Sequence, residues 1–271
     1  LLWQKWLMLN HHTSDHQNYK DVAIIAAKKA GEVLARYFGQ HVTIRAKDDI
    51  GRDLVSNADL ESEKMIIAEI KKYYPTHNIV AEESAREDNS SDHTWIIDPL
   101  DGTMNFLRGF PIFSVSIALA LAEDVIVGVV FNPITKDLFV AERGKGAYLC
   151  DKEIYVSSRG TLAQAVVAQN IDNSRKQREI YLRNLQNLFQ DVEGFRQFHS
   201  TALEMCNVAC GRSEAFILNG ANSWDIAAGA LIIEEAGGKV TSFDGSTWCW
   251  RRPMLVTSNG LIHQELLKKL G

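Results

Sequence analysis

The stretch Thr94-Trp95-Ile96-Ile97-Asp98-Pro99-Leu100-Asp101-Gly102-Thr103-Met104-Asn105-Phe106 constrains this chain more than any other. Trp95, Ile96 and Ile97 form a short apolar run, which reads as the end of a buried strand. The run empties into Asp98 and Asp101, with Pro99 between them and Gly102 after them forcing a sharp change of direction. Two carboxylates on a tight turn at the carboxyl end of a strand can point at one small volume. Like charges that close repel, and a cation between them makes the arrangement stable. Oxygen-only ligands favour a hard ion, Mg²⁺ before Zn²⁺. Beyond the turn, the N–H groups of Gly102 to Met104 are placed to open a helix, whose amino end suits an anion such as phosphate. The competing interpretation is an Asp-Pro-x-Asp-Gly surface turn without chemistry.

Acids at other strand and helix ends weigh against the plain turn. Asn78-Ile79-Val80-Ala81 reads as a strand that ends in Glu82-Glu83, so two successive strands end in acids. Carboxyl ends of strands are where α/β sheets collect ligands. Ser56-x-x-Asp59 has the spacing of a capping box at the start of a helix that turns Met65, Ile66, Ile70 and Tyr73 inward. Asp225 follows Trp224 at the start of a strong helix ending at Gly237-Gly238. An acid in a first turn is favoured by the helix dipole; the functional alternative is a metal ligand delivered from the second half of the chain.

The remaining sequence alternates helices and strands. Tyr19 to Phe38 is helical, with Gly39 in the C′ position. The charged, Gly-containing run Thr43 to Arg52 reads as an exposed hairpin or loop. From Phe113 to Leu149 a period of two predicts an antiparallel meander. Gly144-x-Gly146 is too short for a dinucleotide fingerprint. The second half is expected to hold strands at 165–168, 194–198, 215–218, 239–241 and 255–257, and helices at 177–189, 201–210, 224–236 and 261–270. Residues 1–17 read as an extension with an apolar helical face and then His-rich sequence, where His12 and His16 suit a solvated linker better than a metal site. A hydrophobic content of 46% and a charged content of 23% are those of an ordinary globular protein. The net charge of −5 argues against nucleic acid as a partner. No apolar run reaches the roughly 18 residues of a membrane span. Cys206 and Cys210 lie one turn apart among apolar neighbours, which suits core thiols, a reducing compartment and hence a cytoplasmic location.

The motifs together resemble the inositol monophosphatase family of Mg²⁺-dependent, lithium-sensitive phosphomonoesterases. The resemblance rests on Asp53-Leu54-Val55-Ser56-Asn57-Ala58-Asp59, Ala81-Glu82-Glu83-Ser84, Trp95 to Phe106, and Trp224-Asp225-Ile226-Ala227-Ala228-Gly229 with Glu235-Ala236-Gly237-Gly238. It covers about residues 19–271 and implies an α/β (α+β) fold, a layered αβαβα sandwich of the fructose-1,6-bisphosphatase type, in a homodimer. Residues 18–271 would be one domain, with a metal-binding half (18–155) and a substrate half (156–271). By this likeness Glu82, Asp98 and the Leu100 carbonyl hold one Mg²⁺, and Asp98, Asp101 and Asp225 a second. A third, weaker ion lies near Glu82. Thr103, hydrogen-bonded to Asp59, positions the attacking water, and the Gly102 and Thr103 amides receive phosphate oxygens.

The substrate residues implied are Asp101, Gly102, Thr103, Ser200, Thr201, Leu218 and Asp225. Two of these positions depart from the family pattern. Leu218 stands where enzymes acting on inositol phosphate carry a Glu. His199-Ser200-Thr201 replaces the usual Gly-Ser/Thr-Ala, adding bulk and a possible charge, and Asn219, Asn222 or His199 are candidates to replace the missing acceptor. The expected activity is hydrolysis of inositol monophosphate or a similar small ester. Fructose 1,6-bisphosphate, histidinol phosphate and 3′-phosphoadenosine 5′-phosphate are rival substrates. The non-enzymatic alternative is a regulatory protein on a phosphatase scaffold.

Overall fold

The apolar run of Trp95 to Ile97 does not stop at the acids. In the computed structural model, which describes residues 18–46, 54–84, 86–170, 175–252 and 254–270, strand β4 (His93–Asp101) runs through both aspartates. Its pairing with β5 (Ser114–Leu121) slips between Asp98 and Asp101. The irregularity, not the end of the strand, re-aims the two carboxylates. Strand β3 (Asn78–Ala81) lies parallel to β4 on its other side, so both acid-bearing ends fall at the same edge of the sheet.

Beyond β5 the meander continues through β6 (Asp124–Phe131), β7 (Leu138–Glu142) and β8 (Ala147–Leu149). It ends in β9 (Lys152–Ile154), a strand too short and polar to be expected from the sequence. These strands make one seven-stranded sheet in the order β3-β4-β5-β6-β7-β8-β9. A smaller sheet is formed by β10 (Val166–Gln169), β11 (Gly194–Arg196), β12 (Ala215–Asn219), β13 (Lys239–Thr241) and β14 (Met254–Ser258), in the order β11-β10-β12-β14-β13. Of the hairpin or loop expected at residues 43–52, β1 (Ile44–Ala46) falls within that range, and it pairs antiparallel with β2 (Leu54–Ser56), which lies beyond it. The segment between them, 47–53, lies outside the described residues, as does the extension at 1–17.

Helices fill the spaces between and outside the sheets. On the outer face of the large sheet lie α1 (Tyr19–Tyr37) and α2 (Asn57–Tyr73). Between the sheets, after the short α3 (Thr103–Leu107), lie α5 (Thr201–Ala209) and α6 (Ser223–Glu235). On the far face of the small sheet lie α4 (Arg175–Leu188) and α7 (His263–Leu270). The result is an αβαβα sandwich with an apolar core at each interface.

Alternation along β4 sends Trp95 and Ile97 toward α1 and α2, and Ile96 toward α6. Asp98 is therefore on the side of α6. Met65, expected inward on α2, is 36% exposed. The buried side of that helix is taken instead by Ser62, Glu63, Ile66 and Ile70. Cys206 is buried and Cys210 half-buried, both as free thiols. No helix among the described residues is long and apolar enough to cross a membrane.

Candidate active site

Asp59 and Asp225 reach the site by the same local device. Each is the third residue of its helix and closes a capping box, Asp59 with Ser56 on α2 and Asp225 with Asn222 on α6. Asp59 Oδ2 accepts the Ser56 N–H at 2.8 Å and its hydroxyl at 2.5 Å, which leaves Oδ1 to accept the Thr103 hydroxyl at 3.3 Å. Asp225 Oδ2 accepts the Asn222 N–H at 2.6 Å. The capping and functional interpretations of these acids are compatible, because a cap uses one oxygen and leaves the other free to face the site.

Asp98, 1% exposed, accepts the Leu100 N–H at 2.9 Å, which closes the turn across Pro99. Burial, then the charges of Glu82, Asp101 and Asp225, push its carboxyl well above the usual carboxylate range. Asp225 is pushed up to about 8 by burial, with Glu82 and Asp101 adding to it. Burial also raises Asp59 to about 6, with Glu82 contributing. Glu82 thus lies within electrostatic reach of Asp59, Asp98 and Asp225. The acids face one another without closing into a coordination shell: among the described residues no three His, Cys, Asp or Glu side chains are gathered as ready ligands.

Asp101 is turned the furthest from that expectation. It is 6% exposed and accepts the Ser200 hydroxyl at 2.5 Å, the Thr201 N–H at 2.8 Å, the Ala202 N–H at 3.1 Å and the Ser114 hydroxyl at 3.1 Å. It caps the amino end of α5 from a different strand. Burial raises its carboxyl to about 6 against these hydrogen bonds, which lower it. Ser200, expected to face substrate, is fully buried and is spent on this cap.

The Thr103 hydroxyl has one hydrogen and two acceptors, Asp59 Oδ1 at 3.3 Å and the Leu100 carbonyl at 3.1 Å. Gly102 precedes it at φ 91°, and a Cβ there would meet the Ile112 and His199 carbonyls at 3.0 and 3.2 Å, so only glycine fits.

A cavity of about 190 Å³ opens beside Asp225, lined also by Asn170, His199, Thr201, Leu218, Gly220 and Ala221. Leu218 and Thr201, two of the substrate residues implied by the resemblance, both line it. Asn219, 2% exposed, does not line the cavity, and Asn222 is the cap of α6. His199 does line it, and burial lowers its pKa, so at neutral pH it presents an uncharged ring rather than the possible cation. Asn170, whose amide donates to Thr201 Oγ1 at 3.0 Å, was missed. Its signal was its place just past the carboxyl end of a parallel strand.

An αβαβα sandwich whose strand ends and helix starts converge acids on one site defines a class of phosphomonoesterases, and the comparisons agree. The inositol monophosphatase family pattern matches residues 15–271, and the chain belongs to that family. It is 40% identical over 252 residues to the Nus factor SuhB of Pasteurella multocida, covering 92% of this chain and 94% of that protein. To the inositol-1-monophosphatase of Mesorhizobium japonicum it is 39% identical over 250 residues, covering 92% and 94%. The solved extragenic suppressor protein suhB of Bartonella henselae superposes with a TM-score of 0.88 at 38% identity, covering 92% of this chain and 97% of that one.

Proposed function

We propose that this chain hydrolyses small phosphate monoesters, inositol monophosphate among them, with divalent cations held by Glu82, Asp98, the Leu100 carbonyl, Asp101 and Asp225. The observation that carries the reading is the convergence of Asp98 and Asp101 on β4, Glu82 just after β3 and Asp225 at the start of α6, with the charges of the other three all bearing on buried Asp98. The donors are all oxygen, the set a hard ion such as Mg²⁺ prefers. Positive charge placed among them would also lower the carboxyl pKa values that burial, and at Asp98 and Asp225 the neighbouring acids, now raise.

A divalent cation bound here supplies charge to the phosphoryl group and makes water a stronger nucleophile at neutral pH. The chain's own part is to orient and to move a proton. Thr103 holds the attacking water, and Asp59 Oδ1 receives the hydroxyl hydrogen of Thr103, so proton uptake passes from water through Thr103 toward a buried carboxylate. The Gly102 and Thr103 amides receive phosphate oxygens, as the family likeness implies. Asn170, His199 and Thr201 offer neutral hydrogen-bonding groups to the alcohol part of the ester, where a Glu-bearing relative offers a carboxylate.

Relatives named as inositol monophosphatases and as Nus factors are equally similar to this chain. A regulatory role that had replaced catalysis would have released some of these acids, and all of them, with Thr103, are retained. The test is phosphate release from inositol monophosphate, fructose 1,6-bisphosphate, histidinol phosphate and 3′-phosphoadenosine 5′-phosphate, with Mg²⁺ and with excess chelator. Inositol monophosphate should be hydrolysed only with Mg²⁺, and Asp98→Asn should abolish turnover. Full activity in chelator, or an Asp98→Asn enzyme of parental activity at saturating Mg²⁺, overturns the assignment.

A further inference from the structure

Helix α2 buries a polar patch where an amphipathic helix buries an apolar one. Asp59, Ser62 and Glu63 are 0%, 0% and 4% exposed, on the face that Ile66 and Ile70 continue. Burying such groups is costly unless each is hydrogen-bonded. Each is. Asp59 accepts the Thr103 hydroxyl at 3.3 Å, the Ser62 hydroxyl donates to the Pro99 carbonyl at 2.9 Å, and Glu63 Oε2 accepts the Glu83 N–H at 2.8 Å. The partners sit on three separate stretches that carry the site: Thr103 at the start of α3, Pro99 between Asp98 and Leu100, and Glu83 beside Glu82.

Positions i, i+3 and i+4 share one face of a helix, so α2 acts as a single rigid bar against all three stretches. Glu82 is the acid for which this matters most. It belongs to a turn, not to a strand or helix. Its own N–H donates to the Ile97 carbonyl of β4 at 3.2 Å, and the next N–H is held by Glu63. The turn is thus fixed to β4 on one side and to α2 on the other.

We infer that Glu63 is a positioning residue that sets the place of the Glu82 carboxylate opposite Asp98, and thereby tunes the affinity of the site for its cation. This rests on the reading of Glu82 as a cation ligand. Glu63 acts through reach: its carboxylate must extend from the α2 backbone to the Glu83 amide. A glutamine keeps that reach and an acceptor oxygen, whereas an aspartate keeps the carboxyl group and withdraws the acceptor by one methylene.

Calorimetric titration with Mg²⁺ of the parent chain, Glu63→Gln, Glu63→Asp and Asp98→Asn separates these roles, with the Mg²⁺-dependent rise in Tm as a second readout. Glu63→Gln should bind Mg²⁺ close to parental affinity. Glu63→Asp should bind about ten- to a hundredfold more weakly, the usual cost of losing an outer partner of a metal ligand. A Glu63→Asp chain with parental Mg²⁺ affinity, even if its metal-free Tm is lower, overturns the inference and leaves Glu63 a purely structural group. Equal losses in both variants also overturn it, since the reach and acceptor that glutamine keeps would then have preserved nothing. Binding by the parent that persists in Asp98→Asn, or no Mg²⁺ binding by the parent at all, overturns the cation reading itself.

Discussion

At Asp59 one carboxyl group serves two elements: Oδ2 takes the Ser56 N–H and hydroxyl, and Oδ1 takes Thr103 across the site. The sequence makes the first half of this plain, because Ser56 and Asp59 are three residues apart. The second half spans 44 residues and depends on α2 packing under β4. Thr103→Ala removes the hydroxyl without touching the cap, so α2 keeps its start. Turnover should fall by about a hundredfold or more, the usual contribution of a positioned acid–base group, with Michaelis constant little changed. Steady-state kinetics on inositol monophosphate at saturating Mg²⁺ make the measurement. A raised Michaelis constant with parental turnover would make Thr103 a binding residue instead. Asp101 shows the limit of reading residues one by one. Its spacing from Asp98 marks it as a site acid, yet the groups that hold it, Ser200, Thr201 and Ala202, lie about a hundred positions along the chain. No local pattern announces a helix capped from another strand.

Among the elements, those with a strong apolar period were legible and those that depend on a neighbour were not. The apolar positions of α1 and α6, and the period of two in β5 and β6, place those elements from sequence alone. Strand β9 exists because β8 offers it an edge, and Met65 is outside because polar groups of the site claim the inside of α2. The start of α5 is the instructive case. His199, just before it, has φ 55° in the left-handed region, where the family pattern carries glycine. That backbone costs a side chain about 1–2 kcal/mol, and glycine gives back about 0.5–1 kcal/mol through its freer unfolded chain. His199→Gly should therefore leave stability unchanged or raise it by up to about 1.5 kcal/mol. It should also remove a neutral ring from the cavity. Loss of one neutral hydrogen bond predicts a Michaelis constant for inositol monophosphate raised roughly two- to tenfold, with turnover retained. Unchanged constants for inositol monophosphate and for glycerol phosphate would show that the ring does not meet the substrate.

On the scale of the whole molecule, the end of β4 remote from the acids carries a second titratable cluster, half-buried around the buried Trp95. Tyr19 of α1, Tyr74 after α2, and His77, His93 and Trp95 of the sheet edge pack ring on ring, with His77 and His93 stacked at 4.6 Å. The sequence shows these residues singly, and only the layering brings α1, α2 and β4 together around them. Trp95 Nε1–H donates to His77 Nδ1 at 3.1 Å, so this nitrogen must be unprotonated. A proton placed there would set N–H against N–H. Burial, and then the charge of His93, lower the His77 pKa to about 4, and burial lowers His93 as well. An unfolded histidine titrates near 6.5. Between about 4 and 6.5 the unfolded chain therefore binds more protons than the folded one, and stability falls as pH is lowered through that window; below about 4 the loss levels off. The raised carboxyls of Asp59 and Asp101, at about 6, act in the opposite sense, costing stability as pH rises. The parent's overall pH curve thus mixes both effects, and the difference between parent and His77→Gln isolates the histidine. Glutamine offers Trp95 an acceptor that does not titrate. Thermal unfolding from pH 4 to 8 should show the stability of His77→Gln, relative to the parent, rising as pH drops below about 6.5. A pH-independent difference between the two would mean that His77 stays neutral in the unfolded chain or binds its proton equally well when folded, and the cluster would then play no part in acid stability.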